Sequence, residues 1–172
     1  MISIELIQEI TKQYPLKIGG THGVTHWARV LENGRRISKA TGANLEIVEL
    51  FAVFHDANRR REGHDHAHGK RGADLAKELR GKYFDLNDLD FALLITACEE
   101  HTSRKTSGEI SVVTCWDSDR LDLPRVGIAV RPERLCTDAA RDREMIAWAD
   151  ERGRARHLPA LVYDEWGVEL GD

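Results

Sequence analysis

His55 and Asp56 stand side by side at the end of an apolar run, Leu50-Phe-Ala-Val-Phe54. Unpaired polar groups are costly to bury, so something must satisfy them. Taken alone, the pair reads as a helix C-terminus, where a histidine meets the dipole and an aspartate meets solvent. The rest of the chain changes that reading. His26, His68, His101 and Asp119 each fall within about a turn of the end of a helix expected from the sequence. Helix ends in one bundle can converge. A mixed imidazole and carboxylate set then suits a divalent transition metal such as iron, manganese or zinc.

The elements that would position these residues follow from apolar periodicity and caps. Ile4, Ile7 and Ile10 recur at helical spacing, and Pro15 with Gly19-Gly20 stops the pattern. Val24, Trp27, Ala28, Leu31 and Ile37 predict a long second helix up to Thr41-Gly42, with His22 just before it and His26 in its first turn. Asn44 is a good N-cap for a third helix from Leu45 to about Ala57. A polar loop with three consecutive arginines, Arg59, Arg60 and Arg61, leads to a helix from about Ala67 to Arg80. Asn87 caps the next helix, which has His101 near its end. A further helix carries Val112, Val113, Trp116 and the acidic run from Asp117 to Asp122. Thr137 or Asp138 caps a last helix expected over Ala139 to Glu151. The tail from Leu158 to Trp166 has no strong period, so it either packs back on the domain or frames a partner contact. Alternating strands, repeats and low-complexity linkers are absent, which makes the class all-α.

At 172 residues the chain fits one helical domain with a sizeable core. Residues from about 21 to 122 form the candidate metal-site core, followed by a C-terminal helix and tail over 123–172. A net charge of -4 and a pI near 6.1 give no case for nucleic acid or an anionic membrane as partner. The sequence shows no signal-peptide pattern and no apolar run of about eighteen residues, so the expected location is the cytoplasm. Cys98, Cys115 and Cys136 form no CxxC pair and read as reduced core residues.

The ordered set of histidines and aspartates resembles the HD-domain superfamily of metal-dependent phosphohydrolases over about Thr21 to Asp122. His26 in His-Trp-Ala-Arg-Val is similar to that family's first histidine, His55-Asp56 to its eponymous pair, and Asp119 in Asp-Arg-Leu-Asp to its closing aspartate. The Asp-Arg-Leu context favours Asp119 over its rival Asp117. His68 in His-Gly-Lys-Arg-Gly-Ala and His101 in Glu-His-Thr-Ser resemble two further histidines of the family's two-metal branch. The resemblance implies that His26, His55, Asp56 and Asp119 hold one ion, while Asp56 bridges to a second held by His68 and His101. Iron and manganese are the expected ions, with zinc, cobalt, nickel and magnesium as alternatives. His55 and Asp56 would then be central to catalysis, since two ions about 3.5–4 Å apart can present hydroxide to a phosphoryl group.

The substrate expected on that basis is a phosphate ester or anhydride of a nucleotide or other small molecule. Arg59, Arg60, Lys70, Arg71, Arg104 and Lys105 are the candidate substrate-binding cations, with Arg61 beside them, because each lies close in sequence to an expected ligand. His22 is expected to line the pocket, and His64 and His66 to form its rim. Glu62, Asp65 and Glu100 are candidates to orient ligands. The chain lacks a nucleophile elbow and a phosphate-binding glycine loop, which sets aside serine hydrolase and P-loop chemistry. Two other readings stay open, a di-iron oxygenase of the same superfamily and a non-catalytic metal-binding regulatory domain. A homodimer is compatible with the sequence.

Overall fold

A helix that is apolar on every side has to be surrounded, and Leu45–Phe54 is such a helix, with only Glu46 and Glu49 interrupting its apolar residues. In the computed structural model, which describes residues 2–103 and 105–171, this segment lies at the centre of the bundle. Among the described residues the chain forms nine α-helices and no strand: α1 (Ile4–Gln13), α2 (Val24–Thr41), α3 (Leu45–Phe54), α4 (His68–Leu79), α5 (Asp88–Glu100), α6 (Ile110–Arg120), α7 (Asp138–Arg141), α8 (Arg143–Arg154) and α9 (Leu161–Asp164). Helices α1, α2, α4, α5 and α6 all pack on α3. Phe51, Phe54, Ile47 and Val53 are wholly buried there, each worth about 1.5–3 kcal/mol in apolar surface removed from water.

Caps set several of the boundaries. Asn44 accepts from Glu46 N at the start of α3, and Asn87 from Leu89 N and Asp90 N at the start of α5. Helix α3 stops at Phe54, three residues before the expected Ala57, and residues 55–58 continue as turns. The expected continuous helix over Ala139 to Glu151 is instead two helices. Thr137 caps α7 through Ala140 N, and Asp142 adopts an extended backbone (ψ 136°) that caps α8 through Glu144 N and Met145 N. The tail packs back on the bundle, burying Val162 and Trp166. A second apolar cluster, including Ile37, Leu121, Leu135 and Met145, joins α2 and α6 to α7 and α8.

Glycines set the close approaches that bring the helix ends together. A Cβ on Gly72 of α4 would lie 2.1 Å from Phe54 O, and one on Gly69 would lie 2.3 Å from Cys98 O. The start of α4 therefore presses directly on the C-terminal ends of α3 and α5. No helix among the described residues is long and apolar enough to cross a membrane. Cys98 and Cys115 are buried thiols and Cys136 is half-buried.

Candidate metal centre

Five helix ends deliver side chains to one place. His26 comes from the first turn of α2, His55 and Asp56 from the end of α3, His68 from the first position of α4, His101 from the end of α5 and Asp119 from the last turn of α6. The four histidines and Asp56 are buried, and Asp119 is half-buried.

The orientation of each imidazole is fixed from behind. His26 Nδ1 faces Asp122 Oδ2 at 2.7 Å, His55 Nδ1 faces Ala52 O at 3.0 Å, and His101 Nδ1 faces Cys98 O at 2.7 Å. His68 Nδ1 faces the carbonyl of Asp65. Each of these partners can only accept, so each Nδ1 carries its proton and each Nε2 is turned inward. The Nε2 atoms meet in pairs: His26 Nε2 lies 3.0 Å from His55 Nε2, and His68 Nε2 lies 2.8 Å from His101 Nε2. Burial lowers the His55 pKa to about 3, despite the opposing pull of Asp56 and Asp119, so no proton resides there at neutral pH. Burial likewise lowers the pKa of His68. Two pairs of inward-facing Nε2 atoms this close together, each ring anchored from behind through Nδ1, are a donor arrangement that could hold a cation.

Asp56 joins the two pairs. Its Oδ2 lies 3.6 Å from His26 Nε2 and 3.9 Å from His55 Nε2, while its Oδ1 lies 3.3 Å from His68 Nε2. Asp119 Oδ1 stands beside the first pair, 3.4 Å from His26 Nε2 and 3.8 Å from His55 Nε2. Burial alone would raise both carboxyl pKa values, but the surrounding imidazoles hold each below the usual carboxylate range. Two buried groups with ligand atoms within 4.8 Å of one another result, His26-His55-Asp56 and Asp56-His68-His101, and each could hold a metal ion.

Asp117 does not enter this site. Its carboxylate accepts from Cys136 N at 2.7 Å, Thr137 N at 2.8 Å and Thr137 Oγ1 at 2.9 Å, which ties α6 to the start of α7. Two residues along a helix turn through about 200°, so Asp117 and Asp119 face nearly opposite ways.

The cavity at the site has a volume of about 410 Å³. His22, Arg59, His64 and His66 line it, with His22 Nδ1 held by Glu62 Oε2 at 2.5 Å. Most of the expected substrate-binding cations do not line it. Lys70 lies two positions beyond His68, on the outer side of α4, where it pairs with Asp74 at 2.9 Å. Arg71 is committed to Asp65 and to Asn58 O, and Arg60 is exposed with its amide on Asp65 Oδ2. Lys105 is exposed and paired with Glu100 at 2.7 Å, which keeps both out of the cavity. Arg104 lies outside the described residues. Arg59 does line the cavity, but most of its guanidinium is engaged, with Asp56 Oδ1 at 3.2 Å, Arg61 O at 2.9 Å and Gly63 O at 2.8 Å. It holds the loop after α3 in place, as do Asp65 and Arg71.

Two residues emerge only from the structure. Asp122, one turn beyond Asp119, is 1% exposed and accepts from His26 Nδ1 and from Arg29 Nε, both at 2.7 Å. The i, i+3 spacing of two aspartates, one in the last turn of α6 and one just past its end, was the available signal. Arg125 lines the cavity and donates to Thr21 O at 3.2 Å. Nothing local in the sequence marks it. Leu123, Val126 and Ile128 form an apolar wall beside Arg125, and Ile128 is 52% exposed.

Comparison of the chain with protein-family models, with curated proteins and with solved structures found no match.

Proposed function

We propose that this protein is a metal-dependent phosphohydrolase of the HD-domain type, acting on a phosphate ester or anhydride of a small organic molecule such as a nucleotide. The observation that carries the reading is the pair of facing imidazole couples joined by the two oxygens of Asp56. Such a donor set favours two ions, with His26, His55 and Asp119 on one side of Asp56 and His68 and His101 on the other. When bound, divalent ions such as iron or manganese would make water a nucleophile at neutral pH and neutralise phosphoryl oxygens.

The chain's own residues supply the remainder. Asp122 and the backbone carbonyls of Ala52, Asp65 and Cys98 keep the four Nε2 atoms directed inward. Arg59 and Arg125 place two cations at the cavity for the substrate's negative charge. Leu123, Val126 and Ile128 favour a substrate with an organic group over a bare phosphate anhydride.

The test is turnover across a panel of phosphate esters after loading with iron, manganese or zinc, with oxygen consumption measured in parallel. Phosphate release that disappears in Asp56→Ala and His55→Ala, both shown to be folded, is the expected outcome. Full activity in either variant would refute the mechanism. Metal-dependent oxygen uptake without phosphate release would replace it with oxygenase chemistry, and metal binding without turnover would leave a regulatory domain.

A further inference from the structure

A second cavity, of about 460 Å³, adjoins the metal cavity across Arg125, which lines both. Lys17, Arg29, Arg125 and Arg156 line it together with Thr21 and Thr25, and no carboxylate is among its lining residues. Arg29 and Arg125 are nine-tenths or more buried, and both lean on one carboxylate, that of Asp122, with Arg29 Nε at 2.7 Å and Arg125 Nε at 3.7 Å. Among the described residues neither Lys17 nor Arg156 has an ion-pair partner within 4.0 Å. Asp122 is shared by the two buried arginines, and the Glu62 carboxylate, which lies against Gly20 of the lining, is held by His22, so Lys17 and Arg156 are the two unpaired cations around the concavity.

Local backbone features reinforce the concentration of donors. Helix α2 opens at the cavity from Gly23, which provides no side-chain cap, and the Thr25 amide makes no backbone hydrogen bond among the described residues. Arg156 is the one non-glycine residue with positive φ (47°) among those described. That conformation is strained for any residue with a Cβ, and here it directs an arginine to the cavity where a glycine would be unstrained.

We infer that this cavity is a binding site for a phosphoryl group, separate from the metal centre and adjoining it through Arg125 and the Arg29–Asp122–His26 chain. Two unpaired cations backed by two buried arginines, with two hydroxyls and a free amide, match a tetrahedral dianion with several acceptor oxygens better than a carboxylate with one charge. The inference stands apart from the hydrolase reading, because binding there needs neither metal nor turnover. Where an anion does occupy it, it draws on the guanidinium groups that hold Asp122, so phosphate and metal affinities change each other by the same factor.

The experiment is calorimetric titration of the full-length chain, freed of metal by chelation, with inorganic phosphate and separately with adenosine monophosphate. One saturable site is expected, weakened at least about tenfold by Lys17→Glu and by Arg156→Glu, and changed less than about twofold by His64→Ala at the mouth of the metal cavity. Because Lys17 and Arg156 are exposed, these variants should fold, and Arg156→Lys should restore much of the affinity. Tighter binding of the nucleotide marks the terminal phosphate of a larger molecule as the occupant, and equal or tighter binding of phosphate marks the free anion. Absence of saturable binding of either probe, or binding indifferent to Lys17 and Arg156, would overturn the assignment.

Discussion

Asp122→Asn tests how far the proposed metal centre depends on groups that would not touch the ions. Asp122 Oδ2 accepts from His26 Nδ1 at 2.7 Å and from Arg29 Nη2 at 3.1 Å, and Oδ1 accepts from Arg29 Nε at 2.7 Å. An asparagine keeps the shape but replaces one oxygen by a donor. If its oxygen stays on Arg29 Nε, its NH₂ faces His26 Nδ1, the ring's proton moves to Nε2, and the lone pair facing His55 is lost. In the other orientation the NH₂ meets the Arg29 guanidinium, leaving donor against donor. Breaking a buried ion pair by removing one charge costs about 3–5 kcal/mol, so the metal-free protein should lose about 1 M or more in urea midpoint. Metal affinity should fall about 10- to 100-fold, the usual effect of removing a carboxylate behind a ligand histidine. Arg29→Met separates the two effects, since it breaks the ion pair but leaves the Asp122 carboxylate on His26. It should lose comparable stability and considerably less metal affinity. Urea denaturation and metal titration of both variants give the answer; Asp122→Asn with metal affinity within twofold of the parent would refute the reasoning.

Three further outcomes follow from the same geometry. Gly72→Ala places a methyl 2.1 Å from Phe54 O and should cost about 1–3 kcal/mol together with metal stoichiometry, whereas Gly63→Ala, with nothing within 4 Å, should stay within about 0.5 kcal/mol by urea midpoint. The His55 pKa, near 3 when folded, lies below the value of about 6.5 expected when unfolded; the unfolded chain alone therefore takes up this proton as pH falls between them. Stability of the metal-free protein is then full above about pH 6.5 and declines by roughly 1.4 kcal/mol per pH unit on acidification, and equal urea midpoints at pH 7 and pH 5 would contradict this. Ile128→Ser should raise KM for an ester with an apolar organic group by about three- to tenfold and leave that for pyrophosphate unchanged, since each methylene that the substrate no longer buries is worth roughly 0.8 kcal/mol.

Local chemistry made much of the fold legible in the sequence. Asn44 and Asn87 read as caps because the cap bond joins residues two or three apart, and both make that bond. Asp142 was missed because a second cap inside a helical pattern is indistinguishable from a solvated polar residue until the backbone turns there. The candidate ligands were legible as residue types at helix ends. The cations were not, because adjacency in sequence is not adjacency in space: Lys70 is two residues from His68 yet lies on the outer face of α4. Asp122 and Arg125 act through partners 93 to 104 residues away, His26, Arg29 and Thr21, and no local pattern encodes such pairings. Gly72 and Gly69 likewise take their meaning from Phe54 O and Cys98 O. The tail is aperiodic because only four of its residues, Leu161–Asp164, are helical, although Val162 and Trp166 fill the core.

In the proposed centre Asp56 would serve two ions at once, and metal stoichiometry measures that directly. Elemental analysis of the protein purified without added metal, and again after titration with manganese or iron, should approach two ions per chain. Replacing both His68 and His101 by alanine should leave one ion, and Asp56→Ala should leave neither tightly held. A native chain that takes up no stoichiometric metal, or one whose single ion is indifferent to loss of His68 and His101, would contradict it.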